Sequence, residues 1–527
     1  MSQQSNSQAE HDAHVAMRKE NNKLWGVITG SSLGMLIEYF DFYIFGSLAV
    51  VLSTKFFPAD NPTAAFLSTL ATFAAGFVVR PFGALFFGRL GDLVGRKYTF
   101  IVTLLLMGGS TFLIGCIPGY ETIGFMAPVL VLILRLIQGL ALGGEYGGSA
   151  TFVSEHTTEK NRGYWTAWLQ TTATLGLILS LIVILMTKLA LTPEEFNDWG
   201  WRIPFWISIL LVGVSYMIRK NMHESPAFAK AKKEGKTSTN PLKESFGNRY
   251  NFKWVLLALF GAAMGQGVIW YTGQFYAMNF MQKTMNIDGV QVDTLMVAAL
   301  FMGTPLFILF GWLSDKIGRK YIMMFGMLIA VFAYRPIYNA MFQTANLEHK
   351  TLVAGSVEKS RTAKVDPKVA TDSIITFTTK KAYTDGTTFK QDSIVHWKKI
   401  APTPDEKPTE PKVNKSTTLN SYDKWTLAFY VFLQMILIAM VYGPIAAFLV
   451  ELFPVKIRYT SMSLPYHVGN GVFGGLVPAI STYLVTSSKT LGDPEYYLQG
   501  LWYPIIVAAV CFVIGMVYID NNKKEAQ

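Results

Sequence analysis

Charged side chains are scarce in this sequence. They make up 15% of the 527 residues, against about 25% in ordinary soluble domains, whereas hydrophobic residues make up 51%. Such a deficit requires long segments that carry almost no charge, and segments of this kind are typical of chains that cross lipid. The composition therefore predicts a membrane protein.

Cysteine is nearly absent as well. Cys116 and Cys511 are the only two, and both lie in apolar runs without a CxxC spacing or a histidine cluster nearby. We therefore expect neither a disulfide nor a metal site. The formal net charge is +11, but the basic residues fall in the short gaps between apolar runs and not in one stripe, which argues against nucleic-acid binding.

The motifs of ATP-driven and hydrolytic membrane proteins are also missing. The sequence contains no GxxxxGK[ST] phosphate cradle and no HExxH, and the run from Asp315 to Gly318 lacks the threonine of a DKTG phosphorylation loop. We therefore expect neither an enzyme nor a bound cofactor.

Twelve apolar runs reach the roughly 20 residues that a membrane-spanning helix needs. They begin near Leu24, Ala64, Tyr98, Ile123, Tyr164, Ile203, Phe252, Val292, Tyr321, Tyr422, Ser461 and Trp502. The predicted organisation is a tail at 1–23, a six-helix bundle at 24–220, a linker at 221–251, a second six-helix bundle at 252–520, and a tail at 521–527. The fold class is therefore an all-α membrane protein of two six-helix bundles.

Lysine and arginine crowd the short gaps on one side of the predicted helices, for example at Arg96, Lys97, Arg319 and Lys320. By the positive-inside rule that side is cytoplasmic, and both tails and the linker should lie there. A polar insert at 343–421 should then lie outside.

The insert carries signs of β-structure. Residues 373–379 alternate in polarity, and a Thr384-Asp385-Gly386 turn follows them, so we expect a small β-rich unit. A passive spacer is the alternative, and a role in binding a partner stays open.

A ten-residue segment occurs twice. GRLGDLVGRK at 88–97 returns as GWLSDKIGRK at 311–320, each time after the second helix of its half. The repeat indicates two homologous halves. Each copy offers an ion pair between positions i and i+4, and such pairs can act as conformational clasps. The predicted clasp residues are Gly88, Asp92, Gly95, Arg96, Gly311, Asp315, Gly318 and Arg319.

Repeated GxxxDxxGRK loops in two six-helix halves resemble the major facilitator superfamily. A narrower match resembles its metabolite:proton symporter family, which includes carriers of proline and betaine, 2-oxoglutarate, citrate and shikimate. The stretches that carry it are Glu38 to Tyr43, Arg80 to Gly83, Arg135 to Gly139, Gly143 to Gly148, Trp199 to Phe205, Glu224 to Phe228 and Glu451 to Thr460. Two departures are the insert and Leu93, where a basic residue is common.

The resemblance implies the major facilitator fold, with a central cavity, alternating access and proton-driven uptake across a bacterial inner membrane. Its implied partners are a small metabolite, protons and the bilayer.

In the first half, five ionisable residues lie inside the predicted helices, where each costs at least ~2.5–3.5 kcal/mol on insertion scales. They are Glu38, Asp41, Arg80, Arg135 and Glu145. Three acids face two bases, so one carboxylate needs a proton or another cation. We predict Asp41 or Glu38 as the proton carrier, with Glu145 as a second candidate. The two arginines are either partners of the acids or anchors for a substrate carboxylate. The alternative is a permanent ion-paired network that only fixes helix packing.

The second half offers a neutral polar and aromatic wall, which could hydrogen-bond a solute or hold a quaternary ammonium group by cation–π contact. Ordinary helix contacts are the alternative. The predicted substrate-binding set is Arg80, Arg135, Gln138, Trp270, Tyr271, Gln274 and Gln434. The predicted function is proton symport of a carboxylate-bearing metabolite, which is an organic acid, amino acid or betaine. A proton-driven efflux antiporter and a non-transporting sensor on a carrier fold remain as alternatives.

Overall fold

The computed structural model describes residues 25, 28–29, 32–58, 61–94, 96–155, 157–220, 246–365, 373–397, 411–453 and 458–519. The predicted tails at 1–23 and 521–527 lie outside these residues. So does most of the predicted linker, at 221–245, which includes the family stretch from Glu224 to Phe228.

Long apolar helices dominate the described residues. Ten of them are long and apolar enough to cross a membrane, and a helix pair bent by 64° and one shorter apolar helix take the places of the first and third predicted spans. In chain order the spans are α1 (Ser32–Ser47 with Ala49–Phe56), α2 (Pro62–Phe87), α3 (Arg96–Cys116, apolar over Ile101–Cys116), α4 (Met126–Thr151), α5 (Glu159–Ala190), α6 (Gly200–Met217), α7 (Arg249–Thr284), α8 (Gly289–Ile317), α9 (Arg319–Thr344), α10 (Ser421–Leu452), α11 (Thr460–Thr490) and α12 (Tyr496–Tyr518). From α2 onward, the predicted starts lie within two helical turns of these.

The outer faces of the helices are apolar. Phe82, Phe301 and Phe332 expose 64%, 68% and 71% of their surface. Extended exposed apolar surface marks contact with a membrane or with another protein. Together with the helix lengths, it indicates that these faces meet the hydrocarbon of a bilayer.

Glycine lets α2 and α4 approach closely. A Cβ atom added to Gly139 would lie 1.8 Å from the carbonyl oxygen of Gly76, and one added to Gly143 would lie 2.1 Å from that of Arg80. No side chain fits at those distances, so the glycines bring the two backbones into contact. This close contact positions Arg80 of α2 beside the polar residues of α4.

Helix α7 departs from regular α-geometry. It contains three π-helical turns, at Leu259–Ala263, Thr272–Tyr276 and Phe280–Thr284. Such turns shift the side chains that follow them away from a simple 3.6-residue stripe and are frequent at functional sites. The polar and aromatic residues of α7 lie between and within these turns.

The predicted β-rich insert is present. Strands β1 (Glu358–Val365), β2 (Ser373–Ala382), β3 (Thr388–Trp397) and β4 (Lys412–Thr418) form an antiparallel sheet in the order 1-2-3-4. In the register, Ile375 of β2 pairs with Ala363 of β1 and Val395 of β3. Gly386, at φ 87°, lies in the tight turn between β2 and β3, where glycine adopts positive φ without strain.

Hydrogen bonds attach this sheet to the second half of the chain. The amide of Thr417 in β4 donates to the carbonyl oxygen of Asn286 at 2.7 Å. The amide of Asp288 donates to the carbonyl oxygen of Thr417 at 2.9 Å. Gln291 of α8 donates to Leu419 at 2.9 Å and accepts from it at 2.8 Å. The sheet is therefore anchored to the connection between α7 and α8.

An ionic contact adds a second attachment. Lys350, which follows α9, donates to Asp385 in the β2–β3 turn at 2.5 Å and also to Asp423 in the first turn of α10. Asn420 donates to both carboxylates, at 3.0 and 2.8 Å. The insert thus contacts the ends of α9 and α10 as well as the α7–α8 connection.

Candidate functional site

The two ends of the helix bundle carry different features. The motif side is the end that contains Asp315 and Arg319, and the insert side is the end that contains the sheet β1–β4. The charge pattern predicts that the motif side is cytoplasmic and the insert side external.

Three of the predicted ionisable residues, Glu38, Arg80 and Glu145, line one small cavity. The other residues around it are Met35, Tyr39, Leu142, Tyr146, Tyr466 and His467. Tyr466 and His467 come from α11, so the cavity lies where the two halves of the chain meet. Its volume is about 10 Å³, enough for one water molecule but not for a metabolite. The described side chains of the two halves therefore leave no room for a metabolite at this point.

Arg80 lies between aromatic rings. Its guanidinium carbon is 4.3 Å from the ring centroid of Phe42 and 4.1 Å from that of Phe77. Among the described residues, its Nε and Nη2 atoms are buried and have no hydrogen-bond partner. Aromatic faces stabilise a cation without occupying its N–H groups, so these donors stay available to an acceptor such as a carboxylate.

Asp41 does not line this cavity. It is fully buried, and within the described part of the chain neither carboxyl oxygen has a hydrogen-bond partner. Its Oδ2 faces α3, where a Cβ atom added to Gly108 would lie 3.3 Å away. A buried carboxyl group with no donor and no cation beside it is rare, because buried polar groups are ordinarily hydrogen-bonded.

Arg135 is bound to the protein by most of its donors. Nη1 donates to the carbonyl oxygen of Phe42 at 3.1 Å and to Oε1 of Gln138 at 2.8 Å, and Nη2 donates to the carbonyl oxygen of Phe73 at 3.3 Å. Gln138 in turn donates to Thr111 at 2.7 Å. The pair joins α4 to α1, α2 and α3. No ion pair between Arg135 and a carboxylate occurs among the described residues.

Trp270 and Tyr271 of α7 contact the first half of the chain. The ring of Trp270 lies 5.4 Å from that of Tyr43, and the ring of Tyr271 lies 5.0 Å from that of Phe77. Both residues are buried, and in the described structure the indole Nε1 of Trp270 has no hydrogen-bond partner. These two predicted residues therefore lie near Arg80, which packs on the same Phe77 ring.

The two predicted glutamines are placed differently. Gln274 of α7 reaches across to α5, where its Nε2 is 3.4 Å from Oγ1 of Thr174. Gln434 of α10 donates to the carbonyl oxygen of Tyr430 at 3.4 Å and lies against Met341. The structure therefore brings Gln274 to the boundary between the halves, whereas the contacts of Gln434 lie within the second half.

A group of tyrosines outside the predicted substrate-binding set packs together in the same region. The rings of Tyr146 and Tyr466 are stacked at 3.6 Å, and the hydroxyls of Tyr442 and Tyr466 are 3.0 Å apart. Gln170 of α5 donates to the hydroxyl of Tyr146 at 2.9 Å. Tyr146 occurs in the family stretch from Gly143 to Gly148, and this was the available signal for it.

The second copy of the loop motif joins the two halves on the motif side. Arg319 donates to Asp315 at 2.9 Å, as the spacing predicted. Each oxygen of Asp315 also accepts a hydrogen bond at 2.8 Å, one from the amide of Gly163 and one from that of Tyr164. Asp315 therefore caps the first turn of α5, where unpaired amides favour a negative charge.

Glu451 extends this network. Its Oε1 accepts hydrogen bonds from Arg319 at 2.7 Å and from Arg162 at 3.1 Å. Glu451 and Arg162 were not predicted as clasp residues. The predicted clasp residues of the first copy of the motif lie outside the described part of the structure. This applies to Gly95 itself, to the side chains of Asp92 and Arg96, and to the surroundings of Gly88.

The insert side contains a further ion pair between the halves that the sequence did not indicate. Lys188 near the end of α5 donates to Oδ2 of Asp293 near the start of α8 at 2.5 Å. Each residue was visible as a charge at the end of an apolar run, but their contact depends on how α5 packs on α8.

Comparison with known proteins identifies the chain. A family model described as Major Facilitator Superfamily matches residues 31–346. The chain belongs to this superfamily. It is 29% identical to the alpha-ketoglutarate permease of Escherichia coli K12 over 97% of each chain. It is 30% identical to the inner membrane metabolite transport protein YhjE of the same organism, over 93% of this chain and 94% of YhjE.

Two further similarities agree with this placement. The citrate-proton symporter of Salmonella typhi is 27% identical over 92% of each chain. The solved structure of the proton:xylose symporter XylE bound to 6-bromo-6-deoxy-D-glucose superposes with a TM-score of 0.63 at 14% identity, covering 96% of this chain and 98% of XylE. At that identity, XylE shows the shared fold alone.

These findings confirm the predicted fold and the resemblance to the metabolite:proton symporter family. The protein is therefore a transporter and not an enzyme. Its described helices are long and apolar enough to cross a membrane several times.

Proposed function

We propose that the protein takes up a small carboxylate-bearing metabolite, which is an organic acid, an amino acid or a betaine, together with protons. Uptake proceeds by alternating access, and the proton is the coupling ion, so no cofactor is needed. The observation that carries this proposal is Asp41, which is fully buried and has no hydrogen-bond partner in the described structure.

The surroundings of Asp41 favour a proton. An isolated ionised carboxylate is far more costly to bury than a neutral carboxyl group, because it loses its hydration and gains no compensating contact. In the closed arrangement Asp41 is therefore expected to be protonated. When the protein opens and water reaches α1 and α3, the same group can release its proton. This difference between states couples proton movement to the opening of the protein.

Arg80 is the proposed anchor for the substrate. It lines the cavity between the halves, and its Nε and Nη2 are buried without partners among the described residues. A guanidinium group binds a carboxylate by charge-assisted hydrogen bonds. The solutes named in two relatives, alpha-ketoglutarate and citrate, are both carboxylates, which supports this chemistry. Arg135 is a weaker anchor because backbone carbonyls and Gln138 already accept hydrogen bonds from its Nη1 and Nη2 atoms.

The contacts between the halves support alternating access. The Asp315 network closes the motif side, the Lys188–Asp293 pair closes the insert side, and the cavity between them holds about one water molecule. Since a metabolite needs an open path to the cavity, each closure has to separate in turn during transport. In the described arrangement, charged contacts hold α5 and α8 together at both ends.

The test is a proton-flux measurement in proteoliposomes. Purified protein is reconstituted with a pH-sensitive dye inside, and organic acids, amino acids and betaines are added outside one at a time at equal pH. Symport predicts that one chemical class acidifies the interior, and that Asp41→Asn abolishes the signal. Alkalinisation of the interior would instead identify an efflux antiporter. Binding of a solute without any flux would identify a sensor.

A further inference from the structure

Helices α5 and α8 are tied to each other at both ends. On the motif side, Asp315 of α8 accepts hydrogen bonds from the amides of Gly163 and Tyr164 in α5. On the insert side, Lys188 of α5 is paired with Asp293 of α8 at 2.5 Å. A charged contact at each end thus joins α5 of the first half to α8 of the second. The motif side can open only if the Asp315 contact separates, and the insert side only if the Lys188–Asp293 pair separates.

The two partners of the insert-side pair differ in their access to water. Asp293 is fully buried, and its Oδ1 has no hydrogen-bond partner within the described residues. The side chain of Lys188 is 16% exposed. Lysine can extend its ammonium group to water while its carbon chain stays packed. If the pair separates, Lys188 can therefore be hydrated, whereas a charged Asp293 would be left buried and alone.

Few other charges act on Asp293. The described charged groups that act on it are Lys188 from α5 and Asp288 at the start of its own helix. Asp288 is engaged separately, since its carboxylate accepts hydrogen bonds from the amides of Val290 and Gln291 at 3.0 and 3.1 Å and caps α8. No second cation is therefore present in the described structure to compensate Asp293 when Lys188 leaves.

We propose that Asp293 is a proton-binding site on the insert side, and that binding of a proton there releases Lys188 and lets the insert-side ends of α5 and α8 separate. A neutral Asp293 can stay buried at modest cost, whereas removal of the partner of a buried charge is strongly unfavourable. Separation of the pair is thus linked to protonation. The proposal rests on the proton symport proposed above and adds a second proton-binding group to it. Unlike Asp293, Asp41 has no ion-pair partner among the described residues.

The test measures the separation of the two halves directly. Cys116 and Cys511 are replaced by serine, and spin labels are attached at Glu194→Cys, which follows α5, and Glu348→Cys, which follows α9. Both positions are exposed on the insert side. In nanodiscs without substrate, the interspin distance should increase by several ångströms on acidification.

Two variants and one control decide the outcome. Asp293→Asn removes the titratable group, and Lys188→Met removes its partner, so both should give the longer distance at every pH. Asp288→Asn is the matched control, because asparagine also caps a helix and the change lies outside the pair. It should keep a pH-dependent change in distance of the same size, with a midpoint at slightly lower pH because one negative charge near Asp293 is removed. The two pair variants provide independent tests in case one of them does not fold.

The proposal is overturned if Asp293→Asn or Lys188→Met retains the pH-dependent change in distance, or if the parent protein shows none. The measurement uses neither a substrate nor a gradient, so its result is separate from the uptake assay. If the insert side opens as expected but no solute is taken up, the symport proposal fails and the proton-binding site stands.

Discussion

Arg162 of α5 donates to Oε1 of Glu451 of α10 at 3.1 Å, across the boundary between the two halves of the chain. The same oxygen of Glu451 also accepts a hydrogen bond from Arg319 at 2.7 Å. One carboxylate oxygen therefore joins two arginines from different halves. Charge-assisted hydrogen bonds of this kind are stronger than neutral ones. The motif side should consequently depend on Glu451 to remain closed.

The first prediction concerns this contact. Glu451→Gln removes the negative charge that both arginines share, so the motif side should open more often. Spin labels at Lys160→Cys and Lys316→Cys, which are exposed on opposite halves, should show a longer mean distance. The matched control is Glu159→Gln, because Glu159 offers Arg319 only its backbone carbonyl oxygen, at 3.2 Å. An equal shift in the control would show that Glu451 has no special role.

The second prediction concerns Asp41. Asp41→Asn mimics the protonated carboxyl group in shape and charge, so the protein should fold, and proton-driven uptake should fall at least ~100-fold, by about 2.7 kcal/mol. Exchange of solute across the membrane without a gradient should persist, because that process needs no release of a proton. Asp198→Asn, at an exposed position, serves as the control. Unchanged accumulation in Asp41→Asn would refute the assignment.

The third prediction concerns Arg80. Arg80→Gln keeps a polar side chain but removes the charge, and a charge-assisted hydrogen bond contributes about 1.5–3 kcal/mol. The apparent KM for the carboxylate substrate should therefore rise roughly 10- to 100-fold, and Arg80→Lys should recover part of the loss. Arg335→Gln breaks the partly exposed pair with Glu495 and the contact with the Trp502 ring, neither of which involves a residue of the cavity, and should leave KM unchanged. Radiolabelled uptake measures all three variants, and an unchanged KM in Arg80→Gln would exclude an anchoring role.

The fourth prediction concerns the attachment of the insert. Burial raises the pKa of Asp385, but hydrogen bonds from Lys350 and Thr387 outweigh this effect and lower the pKa from 3.8 to about 2. A carboxylate whose pKa is lowered on folding contributes stability at pH above its unfolded value and loses it as the pH falls. Attachment of the sheet should therefore be constant above about pH 4 and weaken progressively towards about pH 2.

The corresponding variant is Lys350→Met, which leaves the carboxylates of Asp385 and Asp423 close together without their shared cation. Hydrogen exchange of the β3 and β4 amides should accelerate about tenfold or more at neutral pH. The more exposed pair of Lys390 and Asp392 provides the control, and Lys390→Met should change the exchange rates little. If both variants behave alike, the contacts of Lys350 do not hold the sheet in place.

The helices and the insert could be predicted because their signals are local. Twelve apolar runs of sufficient length mark the spans, and period-two polarity at 373–379 with a turn at Asp385 and Gly386 marks a hairpin. The Asp315–Arg319 pair could be predicted for the same reason, since its partners are four residues apart. In each case the spacing along the chain already determines the contact.

The rest of the site depends on contacts between distant segments. The partners of Arg135 include the backbone carbonyl oxygens of Phe42 and Phe73, which every residue type possesses and no motif marks. Lys188 and Asp293 are 105 residues apart and meet only because α5 packs along α8. Counting charges indicated that one carboxylate would lack a cation, and the packing of the described residues places Asp41 without a partner.

The sheet β1–β4 could be used to follow how the second half moves during transport. Main-chain hydrogen bonds from Thr417 and the paired contacts of Gln291 fix it to the second half, so it should follow that half as one body. An antibody fragment raised against β1–β4 would then recognise the transporter throughout its cycle. The bound fragment would add mass outside the bilayer and serve as a fiducial marker in single-particle images. Its tilt would report the orientation of the second half.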